Sequence, residues 1–212
     1  MTAPEPNPTG PADALPVLPA GPFRLRAFEP RDVAMVVEAS VDPVIPLISS
    51  VPPEASATDA AAFVDRQRHR LRDGYGYSFV IAEIGGPPPV TTHAGAPGHA
   101  AHPDTADDRG VGSIGLWLRD IDLGRASVGY WVVPSARGRR AAGFALASLA
   151  TWVFDQLAIP RLELHVEPWN VASIRTAERA GFVREGLLRS WQGVGDERRD
   201  VYAYSLLPAD DR

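Results

Sequence analysis

Residues 126–142 read ASVGYWVVPSARGRRAA, and a long run of apolar residues at helical spacing follows at once. The first half has the composition of a strand. Pro134 stops it, and a glycine with three arginines fills the loop before the helix. A chain containing such a unit must place helices against a sheet. The unit also sets backbone N–H groups that lack helical partners beside positive charge, which suits an anion such as a diphosphate. Gly138 permits close backbone approach, and Arg137, Arg139 and Arg140 supply charge. Taken alone, RGRRAA fits a basic turn ahead of an ordinary amphipathic helix equally well. It lacks the lysine-hydroxyl ending of a Walker A loop, and it contains no GxGxxG.

The remaining elements follow from periodicity. Residues 1–22 are rich in proline and small residues and read as a mobile tail. Phe23–Phe28 reads as a first strand. Asp32 is placed to cap a helix carrying Val33, Val36 and Val37, which Pro43 and Pro46 then end. Ser56 and Asp59 form a capping-box pattern for a helix running to about Arg72, with Phe63, Val64 and Leu71 toward the core. Its other faces carry Arg66, Arg68, Arg70 and Arg72. They suit either a solvated surface or the attraction of an acidic partner.

Tyr77–Ile84 is a strand pattern. Residues 85–110 have no periodicity and read as an irregular insertion. Val111–Leu118 and Ala126–Val133 continue an antiparallel meander. The long helix begins near Arg139, with Leu146, Leu149, Ala150, Val153, Phe154 and Leu157 on its apolar side, and Pro160 prevents its continuation. Leu162–Val166 is a strand with Arg161, Glu163 and His165 on its other side. Ser173–Ala180 is a short helix closed by Gly181. Phe182–Leu188 and Asp200–Leu207 pair as the last strands. The expectation is one domain over 23–212.

Composition narrows the function. The net charge of -5 argues against a general nucleic-acid binder. The chain has no cysteine, which removes disulfides, thiolate metal sites and a cysteine nucleophile. No apolar run reaches the roughly 20 residues of a membrane span. The first residues lack the pattern of a signal peptide, so a cytoplasmic protein is expected. His93, His99 and His102 fall in the irregular insertion, where composition explains them better than a metal, and no metal is expected. Trp117, Tyr130, Trp131 and Trp152 suit a core or a groove wall. Trp169 and Trp191 flank turns and suit the entrance to a binding site.

A second motif lies at residues 170–182, NVASIRTAERAGF. With the arginine loop upstream, the chain resembles the GNAT superfamily of acyl-coenzyme A-dependent N-acyltransferases. It is most similar to the branch that acetylates the N-terminal alanine of ribosomal proteins. Arg137 and Ala142 match the ends of that family's Q/R-x-x-G-x-G/A loop, and Gly138 matches its common glycine. Arg140 replaces the central one. Asn170, Ser173, Gly181 and Phe182 match N-x-x-S…G-F. The likeness covers about residues 23–207.

The resemblance implies an α/β fold with a mixed, largely antiparallel central sheet flanked by helices. It implies acetyl-CoA as cosubstrate, held by Val132, Arg137, Gly138, Arg139, Arg140, Ala141, Ala142, Asn170 and Ser173. The backbone N–H near Val132 would face the oxyanion, and the Asn170 amide the pantetheine arm. Ser173 either caps its helix or donates a proton to the leaving sulfur. The tyrosine that many relatives carry seven positions after the asparagine is Ala177 here. The glutamate that many carry before GYW is Ser127. A general base is therefore not evident. Glu163, His165 and Glu167 are positioned for the role, with surface or structural pairing the plainer use of each.

The acceptor implied is a primary amine, either a protein N-terminal α-amine or a small-molecule amine such as an antibiotic. A free α-amine, with a pKa of about 8, needs less help than a lysine near 10.4. A non-catalytic acyl-CoA-binding module and a homodimer stay open.

Overall fold

The computed structural model describes residues 15–85 and 108–208. Eight strands form one sheet in the order β1-β2-β3-β4-β5-β6-β8-β7. The strands are β1 (Leu18–Ala20), β2 (Phe23–Arg26), β3 (Gly76–Ile84), β4 (Asp108–Trp117), β5 (Ala126–Val132), β6 (Leu162–Val166), β7 (Val183–Val194) and β8 (Glu197–Leu206). Every neighbouring pair is antiparallel except β5 and β6. The helices are α1 (Val33–Ser40), α2 (Ile45–Ile48), α3 (Ala57–His69), α4 (Ala141–Gln156) and α5 (Val171–Arg179). The mixed α/β architecture with a mostly antiparallel sheet is the one expected.

Alternation along β3 assigns the helices to the two faces of the sheet. Ser78 meets Gln67 of α3, whereas Tyr77 and Phe79 meet Trp152 of α4 edge-on. Thus α1 and α3 cover one face and α4 covers the other. The stripe of α4 that reads as apolar in the sequence is the buried one, with Leu146, Leu149, Ala150 and Val153 at 0–1% exposure. Ser56 and Asp59 form the expected capping box on α3.

Several boundaries differ from expectation, among them the last strands, which run Val183–Val194 and Glu197–Leu206. The sheet starts before Phe23, because Leu18–Ala20 pairs with β2 as an edge strand. Its proline disguises it, since proline is tolerated where the strand has a free edge. Gly21 makes the turn, and a Cβ there would lie 2.7 Å from the Phe144 ring. The far end of the expected insertion is sheet, with β4 already running from Asp108. The rest of it, residues 86–107 with His93, His99 and His102, lies outside the described residues, as do residues 1–14 of the expected tail.

Pro46 does not end a helix but sits in the first turn of α2, where its missing N–H costs nothing. Helix α3 stops at His69, short of Arg72. Helix α4 begins at Ala141 rather than Arg139, because Arg140 has a left-handed backbone.

Asp32 does not cap α1 through its side chain. Its carboxylate instead takes both terminal nitrogens of Arg26, at 2.8 and 2.9 Å. The Nε of Arg26 reaches Asp108 at 3.0 Å, and Arg31 reaches the same carboxylate at 3.1 Å. Arg26 is 1% exposed. Burial opposes its charge, but Asp32 and Asp108 outweigh that and raise its pKa. This network ties the start of β4 to β2 and to the entry of α1. Replacing Arg26 by Met leaves two buried carboxylates short of their cation, and a stability loss of about 3–5 kcal/mol in urea unfolding is expected.

Candidate functional site

Strands β5 and β6 pair at only two positions, Ala126 with Leu162 and Ser127 with Glu163, and then part. The gap between them is the centre of the site. Val133 donates its N–H to Val111 on β4. Strand alternation therefore aims the Val132 backbone away from β4 and into the gap. The Val132 carbonyl accepts from Arg137 Nε at 3.2 Å, which leaves its N–H facing the opening.

A groove of about 460 Å³ runs from this gap along the N-terminal end of α4. Val132, Arg137, Gly138, Arg140, Ala141, Ala142, Asn170 and Ser173 line it, so eight of the nine residues singled out in the sequence share one surface. Arg139 is the exception. Its guanidinium turns to Glu83, at 2.9 Å, and does not line the groove.

The loop's charge is also arranged differently from expectation. Arg137 donates to Asp42 at 2.7 Å and braces the loop against the segment entering α2. The other Asp42 oxygen accepts the N–H groups of Val44 and Ile45. Burial raises the pKa of Asp42, but those N–H groups and Arg137 more than reverse it, so the carboxylate is held below its ordinary range. Arg137 thus acts first as a strut.

Arg140 begins α4 with φ of 65° and no side-chain cap. The first N–H groups of α4 consequently stay open to the groove. The glycine of the resembled motif falls at this position, where a glycine carries no steric penalty. Here a non-glycine residue takes that left-handed form. Arg175, Thr176 and Arg179 of α5 form the opposite wall. They were missed in the sequence, although their i+3, i+4 and i+7 spacing from Ala172 would have put them on one helix face.

A second cavity, about 190 Å³, opens on the other side of the gap. The two share Tyr130, Trp131, Trp169, Asn170 and Ser173. Asn170 Oδ1 accepts the Ser173 N–H at 3.0 Å and caps α5. This decides the capping question. Ser173 is the third residue of the helix rather than its cap, and its side chain is left for other work. Tyr130 donates to the Ser173 carbonyl at 3.5 Å, and burial raises the phenol's pKa. Ala177, where many relatives have tyrosine, is fully buried.

His165 and Glu167 line the second cavity, but Glu163 does not. Glu163 is engaged by Arg161 at 2.8 Å. Glu167 accepts the Trp169 indole N–H and lies 3.7 Å from Arg199. His165 makes no hydrogen bond among the described residues. It stacks on Trp191 with ring centres 5.8 Å apart. Burial lowers its pKa, and the nearby Glu163 only partly offsets this. Trp191 lies not beside a turn but in an irregular stretch of β7, where the register with β8 shifts between Leu188 and Gln192.

The family model described as Acetyltransferase (GNAT) domain matches residues 23–183. The chain belongs to the GNAT acetyltransferase family. It is 35% identical over 100 residues to an uncharacterized N-acetyltransferase p20 of Bacillus licheniformis. That match spans 47% of this chain and about half of the relative, 56% of its length. Among solved structures, the fold resembles Mycobacterium smegmatis RimJ in complex with CoA-disulfide. The TM-score is 0.67 at 24% identity, covering 92% of this chain and 87% of that one. It also resembles a putative ribosomal-protein-serine acetyltransferase from Vibrio cholerae. There the TM-score is 0.67 at 21% identity, covering 91% and 97%.

The left-handed residue at the head of α4 gives a direct test of the loop. Arg140→Gly removes the steric cost of that conformation, and a gain of up to about 1 kcal/mol in thermal unfolding is expected. A fall in melting temperature would show that the side chain contributes more than the backbone costs.

Proposed function

We propose that the protein transfers an acetyl group from acetyl-CoA to a primary amine, in a complex that holds both substrates at once. The observation that carries this reading is the junction at the β5–β6 gap. An anion-binding groove and a separate polar cavity meet there, and both touch Asn170 and Ser173.

In this reading the open N–H groups of α4, with Arg140, Arg175 and Arg179, hold the coenzyme's diphosphate. The pantetheine arm enters the gap past Asn170. The Val132 N–H faces the thioester oxygen as it becomes an oxyanion, a contribution on the order of 3 kcal/mol. The amine arrives from the second cavity and attacks the carbonyl carbon. His165, neutral because it is buried, accepts the amine proton directly or through water. The carbon–sulfur bond breaks, and the leaving thiolate takes a proton through the Ser173 hydroxyl, which regains one from solvent water, with the Tyr130 phenol beside it. A protein N-terminal α-amine suits this weak base better than a lysine does. A small-molecule amine is the second reading, favoured by the modest volume of the cavity.

Calorimetry with acetyl-CoA, CoA and ATP tests the groove first. Saturable binding of both coenzyme A species with little ATP binding is expected, and no coenzyme binding by folded protein would remove the transferase reading. Turnover is then read by thiol release. The chain has no cysteine, so a thiol reagent reports only the released coenzyme. Ser173→Ala is expected to lower kcat about tenfold or more with little change in coenzyme affinity. Because the lowered pKa of His165 keeps its basic form to more acidic pH, the acidic limb of kcat/KM should fall below the ordinary histidine value of 6.5. That limb should disappear in His165→Gln. A limb that persists unchanged would exclude His165 as the base.

A further inference from the structure

The basic stripe of α3 does not behave as one surface. Arg66, Arg68 and Arg72 are exposed, whereas Arg70, the residue that closes the helix, is half-buried and lines the second cavity. Phe63, Gln67 and Arg70 occupy one face at helical spacing, and all three reach that cavity. The Arg70 guanidinium lies over the Trp117 ring, 4.6 Å from its centre. One terminal nitrogen is 3.4 Å from Gln67 Oε1, an oxygen already taken by the Ser78 hydroxyl at 2.8 Å. The Nε of Arg70 is shielded from solvent and has no partner, and no carboxylate pairs with Arg70 among the described residues.

The platform under this arginine is built for it. Gly115 and Gly129 face each other across β4 and β5. The Trp117 ring lies over both, and a Cβ would meet it at 3.0 Å on Gly115 and 3.2 Å on Gly129. Two glycines therefore let the indole lie flat, and the arginine stacks on its outer face. A partly desolvated guanidinium without a counter-ion is costly to hold, and a carboxylate arriving from solvent relieves that cost through paired, charge-assisted hydrogen bonds.

Resting on the transferase reading, we propose that Arg70 receives a carboxylate carried by the amine acceptor, whose amine lies at the other end of the same cavity beside His165 and Ser173. The acceptor is then an amine with an acid close to it. Either an amino acid or a peptide with an acidic residue just behind its N-terminus has this chemistry.

The test uses coenzyme A-loaded protein and two matched acceptor pairs, each titrated by calorimetry. The peptide pair is Ala-Glu-Ala-Ala-amide and Ala-Gln-Ala-Ala-amide. The amino-acid pair is alanine and alaninamide. In at least one pair the acid should bind about tenfold or more tightly than its amide. The pair that shows it identifies the source of the carboxylate. Arg70→Met should reduce that preference to within about twofold, while Arg68→Met on the exposed face leaves it intact. Equal or absent binding of acid and amide in both pairs with the wild-type protein overturns the proposal, even if Arg70→Met does not fold. So does a preference that survives in Arg70→Met. Thiol release separates this reading from the one beneath it. Selective binding without turnover removes the transferase and leaves the carboxylate receptor. Turnover without acid preference does the reverse.

Discussion

The site depends on a sheet that is allowed to come apart. β5 and β6 share two paired positions and then diverge, so the backbone beyond Ser127 loses its ladder on one side. Buried peptide groups without partners are costly, and a fold keeps such an opening only if other groups occupy it. Arg137 takes one carbonyl, and β6 finds its remaining partner in β8. What is left is a slot lined by peptide N–H groups between two rigid walls. Donors held in place in this way need no reorganisation when charge develops in front of them.

The slot stays open because its surroundings are braced from several directions. The Arg26 network fixes β4 at its first residue, where the chain returns from residues 86–107. Asp42 joins the end of α1, the cap of α2 and the arginine loop through one carboxylate. Asn170 caps α5 and so orients Ser173. The first two join segments far apart in sequence, Arg26 with Asp108 and Asp42 with Arg137, whereas the Asn170 cap is local. The apolar core sets the layers, while these contacts set the distances between the walls.

Local pattern carried most of the fold and part of the site. The strands of the meander, the capping box and the apolar stripe of α4 are periodic or short-range features, and they were legible residue by residue. The strand at Leu18–Ala20 was not, because a proline and three residues give no period. The destinations of the arginines were equally hidden. Four arginines in and just after α3 are alike in sequence, and only packing against Trp117 distinguishes Arg70. Arg137 and Arg139 look equivalent in the loop, yet carboxylates distant in sequence, Asp42 and Glu83, draw them apart. Long-range pairing of side chains leaves no local signature. That Asn170 and not Ser173 supplies the cap of α5 was equally hidden in the sequence.

The irregular stretch of β7 has a consequence for how copies of the protein meet one another. An open sheet ends in two strands with unpaired backbone, which invites edge-to-edge stacking and aggregation. β1 is short and carries Pro19. β7 is long, and between Leu188 and Gln192 it departs from its ladder, with Ser190 at φ 51°. The kink that sets Trp191 against His165 therefore also denies a neighbour a straight edge to extend. Regularising this strand to relieve Ser190 would alter the cavity and make the protein stickier in the same stroke, so chemistry and solubility constrain the same few residues.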